Sequence, residues 1–263
     1  VTGYYYRRLG ADGDCQTFES TDITSSNWDS AIQHGSPPLA LLTRAIIELL
    51  RDSGMRPGRL TLDILGAIPV APVKVRAWVQ RPGRRISLLM AEMTPAGDDR
   101  ARPVARVTAW ALATSDTSDV ASDRYPPLVE GPAQPLPADW WGWTGYLGSV
   151  GWRRQPDDPS GAGVFWLSPQ GQLVDGEDTT PLEKLTLAVD SVNGVGPTLD
   201  YRRFIFMNTD TDVHLHRLPV GEDFALRARA SIGPDGIGVT SAEIFDRTGF
   251  IGTCAQTLLV QRR

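Results

Sequence analysis

Val73-Lys74-Val75-Arg76-Ala77-Trp78-Val79 alternates apolar and polar side chains, and about 150 residues later Asp223-Phe224-Ala225-Leu226-Arg227-Ala228-Arg229 holds the same place in a second run of strands. Alternation with a period of two marks a strand with one face buried. Working outward, Pro69 matches Pro219, and the strand from Leu60 falls on the strand from Asp210. The turn at Pro82-Gly83 falls close to Gly233-Pro234. Ala91-Glu92 matches Ala242-Glu243 one residue out of phase, and Ala105-Arg106 falls on Ala255-Gln256. Self-similarity at a fixed spacing is the mark of a duplicated unit.

A helix precedes each run of strands. The first is expected from about Leu39 to Asp52, after His34-Gly35-Ser36-Pro37-Pro38. Its apolar residues cover more than one face, so it should be deeply buried. Prolines are tolerated in its first turn. The second is expected from about Pro181 to Ser191, with Thr180 and Glu183 at capping-box spacing and Asn193-Gly194 as its stop. Further strands are expected at Leu60–Leu65, Ile86–Met93, Val104–Leu112, Phe204–Met207, Val213–His216, Phe224–Ala230, Gly238–Phe245 and Ile251–Val260. A stretch rich in Ser, Asp, Pro and Gly, 115–137, reads as the linker between units 1–114 and 138–263. The tryptophans that follow, Trp140, Trp141, Trp143, Trp152 and Trp166, are suited to packing the second unit or to walling an apolar binding tunnel.

Composition narrows the function. A chain of 263 residues, 41% hydrophobic and 22% charged, is of ordinary globular make-up and can bury a core without staples. A net charge of −5 gives no pull toward nucleic acid or an anionic membrane. The basic group Arg76, Arg81, Arg84 and Arg85 reads as a solvated hairpin before it reads as a phosphate site. Two cysteines, Cys15 and Cys254, make no disulfide framework and suit a reduced compartment. Neither an apolar leader nor a run long enough to span a bilayer is evident, so cytoplasm is the expectation. There is no Gly-x-Ser-x-Gly elbow, P-loop or dinucleotide fingerprint. His214 and His216 share a strand face, and Asp210 and Asp212 stand close by, but no third ligand completes a metal site.

Helix followed by three or four strands, twice over, is an α+β arrangement that resembles a hot-dog fold, in which an antiparallel sheet curls around one helix. A double hot-dog is therefore expected. The text of the second half carries a closer resemblance: Leu173-Val174-Asp175-Gly176-Glu177, Ala188-Val189-Asp190-Ser191-Val192-Asn193-Gly194-Val195, Phe204-Ile205-Phe206-Met207-Asn208-Thr209-Asp210, Val213-His214-Leu215-His216-Arg217, Ser231-Ile232-Gly233-Pro234-Asp235-Gly236 and Ala255-Gln256-Thr257-Leu258-Leu259-Val260. These are similar to the actinobacterial thioesterase-like family and, more distantly, to bacterial acyl-CoA thioesterase II. His34-Gly35-Ser36-Pro37-Pro38 is similar to the Gly-rich entry to that family's central helix.

The resemblance implies hydrolysis of an acyl-CoA thioester to free acid and CoA, without metal or redox cofactor. It also implies a trio of Asp, Thr and Gln. The Asp falls on Asp190 and the Gln on Gln256. The Thr position falls on Asn208, with Thr209 beside it, which departs from the family. The residues suit the chemistry: thioester hydrolysis needs an aimed water, a proton acceptor and donors for the oxyanion. Asp190 would be the acceptor, disfavoured as an anion by the C-terminal end of its own helix. Asn208, Thr209 and Gln256 would hold water and carbonyl. Gly35, His34 and Asn193 would line the substrate site. A homodimer or higher oligomer fits the fold class. Two alternatives stand beside this reading. One is a hot-dog hydratase or dehydratase using Asp29 and His34, which stand five apart. The other is an acyl-binding protein without turnover.

Overall fold

The computed structural model describes residues 3–97, 100–136, 144–156, 158–196 and 199–263. Its strands are β1 (Tyr4–Asp12), β2 (Cys15–Ser20), β3 (Met55–Ile64), β4 (Pro72–Arg81), β5 (Ile86–Pro95), β6 (Ala105–Ala113), β7 (Val150–Arg154), β8 (Gly163–Pro169), β9 (Gln172–Val174), β10 (Phe204–Asn208), β11 (Asp210–Leu215), β12 (Phe224–Ile232), β13 (Ile237–Asp246) and β14 (Gly249–Arg262). The helices are α1 (Ser36–Leu50), α3 (Pro181–Val189) and two single turns, α2 (Gly145–Gly148) and α4 (Val192–Val195). All strands join one sheet in the order β7-β8-β12-β13-β14-β11-β3-β6-β5-β4-β2-β1-β9, with β10 paired to β14. Helices and one large, mostly antiparallel sheet make this a mixed α+β fold.

α1 lies across β3, β4, β5 and β6, and α3 packs on α1 and against β8 and β12. The first turns of α1 are buried all round, from Ser36 through Thr43, as the spread of its apolar residues predicts. The two helices run antiparallel. At one end Arg44 of α1 bonds the carbonyl of Asp178 and lies 3.5 Å from Glu183 in the first turn of α3. At the other end Gly35, before α1, touches Asp190, after α3. This end-to-end meeting positions the site.

In the middle of the sheet the halves correspond at an offset of 151, one residue more than the sequence match, so Leu60 falls on Thr211 rather than Asp210. β3 and β11 pair antiparallel, and Thr61 faces Asp212, 151 residues away, with its hydroxyl donating to Asp212 Oδ1 at 2.6 Å. On either side Leu60 faces Val213 and Leu62 faces Thr211. The two halves thus meet across a local dyad at Thr61 and Asp212. Elsewhere the register differs from the sequence match. Ala91 pairs Val107 in the first half, whereas Ala242 pairs Cys254 in the second, because the β13–β14 hairpin is shorter. Gln256 pairs Thr240 as Ala109 pairs Leu89. The counterpart of Gln256 is therefore Ala109, not Arg106.

Helix limits shift by a few residues, and Thr180 and Glu183 form the expected capping box. The expected stop at Asn193-Gly194 is corrected: α3 ends at Val189, and Asn193 and Gly194 lie inside α4. The Asp190 carbonyl accepts instead from the Gln256 side chain at 2.8 Å, so it is lost to the helix ladder. β1, β2, β7, β8 and β9 lacked a clear alternating signal. Arg81, Arg84 and Arg85 lie at the β4–β5 hairpin, where Arg81 bonds the Ile86 carbonyl. Residues of 115–136 pack back on the second half, with Tyr125 and Leu128 against Phe245 and Phe250. Trp166 is buried in that cluster. Trp140, Trp141 and Trp143 lie outside the described residues. Among the described residues no helix is long and apolar enough to cross a membrane.

Because β3 and β11 tie the halves through a continuous ladder, urea should unfold the chain in one transition. Leu62→Ala, which empties a fully buried position on that ladder, should cost about 2–5 kcal/mol in the same measurement. Two separate transitions, or a loss below about 1 kcal/mol, would contradict this packing.

Candidate active site

Asp190 is 1% exposed. A carboxylate taken out of water this far must be surrounded by donors, and three side chains from the second half supply them. Asn208 Nδ2 donates to Asp190 Oδ1 at 2.8 Å, Thr211 Oγ1 donates to the same oxygen at 2.5 Å, and Gln256 Nε2 approaches it at 3.3 Å. The donors are tied to each other. Thr211 Oγ1 accepts from Asn208 Nδ2 at 3.1 Å and from Gln256 Nε2 at 2.8 Å. Its one proton and two lone pairs are then all used. Asn193 Nδ2 donates to Asn208 Oδ1 at 3.2 Å and fixes that amide's orientation.

The other oxygen, Oδ2, meets the first half. A Cβ on Gly35 would stand 2.5 Å from Asp190 Oδ2, so glycine is what lets the carboxylate approach the start of α1. The helix N-terminus offers positive potential there. Asp190 thus lies between the unfavourable end of α3 and the favourable end of α1, an offset that its own helix alone does not reveal. The first turn of α1 is short of donors, because Pro37 and Pro38 have no N–H. The Ser36 N–H donates to His34 Nδ1 at 3.1 Å. The Gly35 N–H is the remaining backbone donor of that turn.

His34 Nδ1 lies 3.5 Å from Asp190 Oδ2. Burial lowers the His34 pKa, outweighing the pull of Asp190, so the ring is neutral at neutral pH. With Nδ1 accepting from Ser36, the proton sits on Nε2. The ring stacks on Tyr146 at 3.9 Å between centroids. Tyr146 clamps both helices: its hydroxyl donates to the Leu187 carbonyl at 2.6 Å and accepts from Ser36 Oγ at 3.1 Å. Burial drives its pKa well up, so it stays protonated. A cavity of about 400 Å³ opens beside this cluster, lined by Trp28, His34, Gly35, Ile68, Asp190 and Asn208 among others.

The structure thus brings together Asp190, Asn208, Gln256, His34, Gly35 and Asn193. Thr209 lines the cavity but stands outside the hydrogen-bonded cluster: it is exposed and donates its hydroxyl to Asp210 Oδ1 at 3.0 Å. The reason is a break in the strand. β10 ends at Asn208 and β11 starts at Asp210, so Thr209 interrupts the alternation and Thr211 faces the same side as Asn208. Thr211 and Tyr146 escaped sequence reasoning. An inward Thr after an irregular strand has no periodic signature, and Tyr146 sits in a four-residue helical turn.

The Asp29–His34 pair is not formed: Asp29 is exposed and accepts from the Ala31 N–H, while His34 meets Asp190. His214 and His216 bond Asp212 and the Phe250 carbonyl respectively. No metal-binding group of three His, Cys, Asp or Glu occurs among the described residues. Burial pushes the Cys254 thiol well up, which leaves it a poor nucleophile.

Among the described residues the first half has no second copy of the cluster. Leu60 and Ala109, both fully buried, stand where Thr211 and Gln256 stand in the second half. Among the described residues the polar set lies at one end of the helix pair.

The chain belongs to the acyl-CoA thioesterase family. Residues 24–112 match the family profile of the acyl-CoA thioesterase N-terminal domain, and residues 123–260 match that of the C-terminal domain. It is accordingly a thioester hydrolase by family. Solved structures share its fold across nearly the whole chain. One is acyl-CoA thioesterase II TesB2 from Mycobacterium marinum, 11% identical, with 97% of this chain and 96% of that one covered and a TM-score of 0.72. A provisionally assigned thioesterase II from Thermobifida fusca is 19% identical, with 98% and 95% covered and a TM-score of 0.71. A conserved protein of unknown function with a hot dog fold from Alicyclobacillus acidocaldarius is 16% identical, with 97% and 95% covered and a TM-score of 0.69. The fold is thus that of the hot-dog thioesterases. No curated protein matches the chain in sequence.

Thr211→Val removes a donor to a buried carboxylate, worth about 1.5–3 kcal/mol. It should lower kcat for thioester hydrolysis roughly ten- to hundredfold. Thr209→Val should leave kcat unchanged. Equal effects, or the reverse order, would move the site away from Thr211.

Proposed function

We propose that the chain is two hot-dog units in tandem, and that the one polar cluster hydrolyses acyl-CoA thioesters by Asp190-assisted attack of water. The observation that carries this reading is the division of labour between the two oxygens of Asp190. Oδ1 takes all three side-chain donors, while Oδ2 faces Gly35 and His34 beside the cavity. An anchored carboxylate with one oxygen turned to a substrate cavity is built to accept a proton.

The step balances simply. Water gives a proton to Asp190 Oδ2 as its oxygen bonds to the thioester carbonyl carbon. The C=O π electrons move onto oxygen, and the Gly35 N–H at the start of α1 faces the growing charge. The oxyanion re-forms C=O, the C–S bond breaks, and the departing thiolate takes the proton back from Asp190. Free acid and CoA leave. Asn208, Thr211 and Gln256 act as positioning residues. No protein nucleophile, metal or redox group enters this sequence. The tandem arrangement is supported by the dyad at Thr61 and Asp212, which lets one chain form the surface that two separate hot-dogs would form by pairing. A cytoplasmic setting is supported by two free cysteines, Cys15 and Cys254. Further association into a homodimer or higher homo-oligomer is compatible with the site, which is complete within one chain.

Release of free thiol from acyl-CoAs of rising chain length tests the proposal. The unaltered protein should turn over, and Asp190→Asn should lower kcat by about 10²-fold or more. Acyl-CoA binding without thiol release, or an Asp190→Asn variant as active as its parent, would overturn it.

A further inference from the structure

Three arginines gather at the far ends of β10 and β14. Arg203 directly precedes β10, and Arg262 and Arg263 close β14 and the residue beyond it. The strands are zipped together here: Phe204 faces Arg262, and the Arg263 N–H donates to the Arg203 carbonyl at 3.0 Å. Each guanidinium lies over an aromatic ring. Arg262 is 5.0 Å from the centre of Phe204, Arg203 is 6.0 Å from the same ring, and Arg263 is 5.6 Å from Trp28. Stacking of this kind holds a guanidinium flat while leaving N–H groups on its edge available; Arg263 uses its Nε–H on the Tyr201 carbonyl at 2.9 Å and keeps its terminal N–H groups. None of these three pairs with a carboxylate among the described residues. Three unneutralised cations side by side in a chain of net charge −5 repel one another and call for an anion.

The same two strands carry the site at their other ends. Asn208 is the last residue of β10, and Gln256 lies within β14. From Asn208 back to Arg203 is about 16 Å along the strand, and from Gln256 on to Arg262 about 20 Å. Trp28 and Asn193 line both the main cavity and a smaller one that reaches Phe206. Trp28 packs edge-on to Phe206 at 5.5 Å, and Arg263 covers Trp28. A substrate whose carbonyl sits at Asp190 and whose arm follows Trp28 comes out at the arginines.

We propose that Arg203, Arg262 and Arg263 bind the phosphates of the 3′-phospho-ADP end of CoA. This rests on the thioesterase reading and adds to it: the carrier of the acyl group is recognised at a second point, one pantetheine arm away. The spacing suits a thioester at one end of that arm and a polyphosphate at the other. The aromatic rings of Trp28 and Phe204 beside the cations suit an adenine. The Arg81, Arg84 and Arg85 hairpin is a poorer candidate, since β4 and β5 lie on the far side of β11, β3 and β6 from β14.

Two readouts test the proposal, one independent of turnover. Calorimetric titration with CoA and with 3′,5′-ADP should show binding by the unaltered chain, and the triple variant Arg203→Gln, Arg262→Gln, Arg263→Gln should bind both at least tenfold more weakly. In parallel, the triple variant should raise KM for acyl-CoA at least tenfold with kcat little changed, and leave KM for the matching acyl-N-acetylcysteamine thioester unchanged, since that substrate lacks the nucleotide. Equal CoA binding by the two proteins would overturn the assignment, whether or not thiol is released. So would a KM effect equal on both thioesters, or one confined to acyl groups on an acyl carrier protein. Failure to hydrolyse either thioester, with CoA binding lost in the triple variant, would instead retain the phosphate site and refute the hydrolytic reading.

Discussion

A carboxylate 1% exposed at the crossing of two helix ends sets the terms for everything around it. Asp190 leaves the C-terminus of α3, where helix potential opposes its charge, and reaches the N-terminus of α1, where it is welcome. The reach is short because Gly35 has no side chain to block it. Burial on this scale requires partners, and Asn208, Thr211 and Gln256 converge on one oxygen to provide them. Gln256 does more than donate to the carboxylate. By capturing the Asp190 carbonyl it breaks the helix at that residue, so the chain turns into α4 and Asn193 arrives beside Asn208. The geometry of the cluster and the end of α3 are one event.

The pairing of β3 with β11 brings the two halves together at one site. The dyad at Thr61 and Asp212 makes the two halves face each other, and α1 and α3 run antiparallel. Each half therefore supplies a helix start to the other half's helix end. At the mirrored position the polar residues are gone. Leu60 and Ala109 extend the core where Thr211 and Gln256 hold Asp190. A pocket of about 320 Å³ remains there, lined by Ile47, Leu50, Met55, Pro57, Leu182 and Leu218 among others, without a carboxylate in its lining. The second half carries the polar cluster, and the first half carries core at the corresponding positions.

Much of this was legible in the residues. Alternation at Val73–Val79 and its recurrence locate most strands, and the all-round apolar pattern after His34-Gly35 marks a buried helix. The resemblance puts Asp190, Asn208 and Gln256 in one site, and they are neighbours in space. What was not legible depended on register. One interrupted residue at Thr209 moved the inward Thr to position 211. One shorter hairpin moved the counterpart of Gln256 from Arg106 to Ala109. Asp190 was assigned the potential of its own helix alone, because the start of α1 comes to it only by tertiary packing. Tyr146, which clamps both helices and stacks on His34, sits in a turn too short to show periodicity. Local pattern finds elements, while small changes in register decide which side chains meet.

The central claim is that the two halves complete one another at Asp190, and Gly35→Ala tests it most directly. The added methyl would fall 2.5 Å from Asp190 Oδ2 and 2.9 Å from Asp190 Cγ, and three donors hold that carboxylate in place. Thiol release from an acyl-CoA should fall by about 10²-fold, while thermal unfolding remains a single transition and CoA still binds by calorimetry. An alanine variant that binds CoA and hydrolyses the thioester at the parental rate would show that the approach of Asp190 to the start of α1 is not where the chemistry happens.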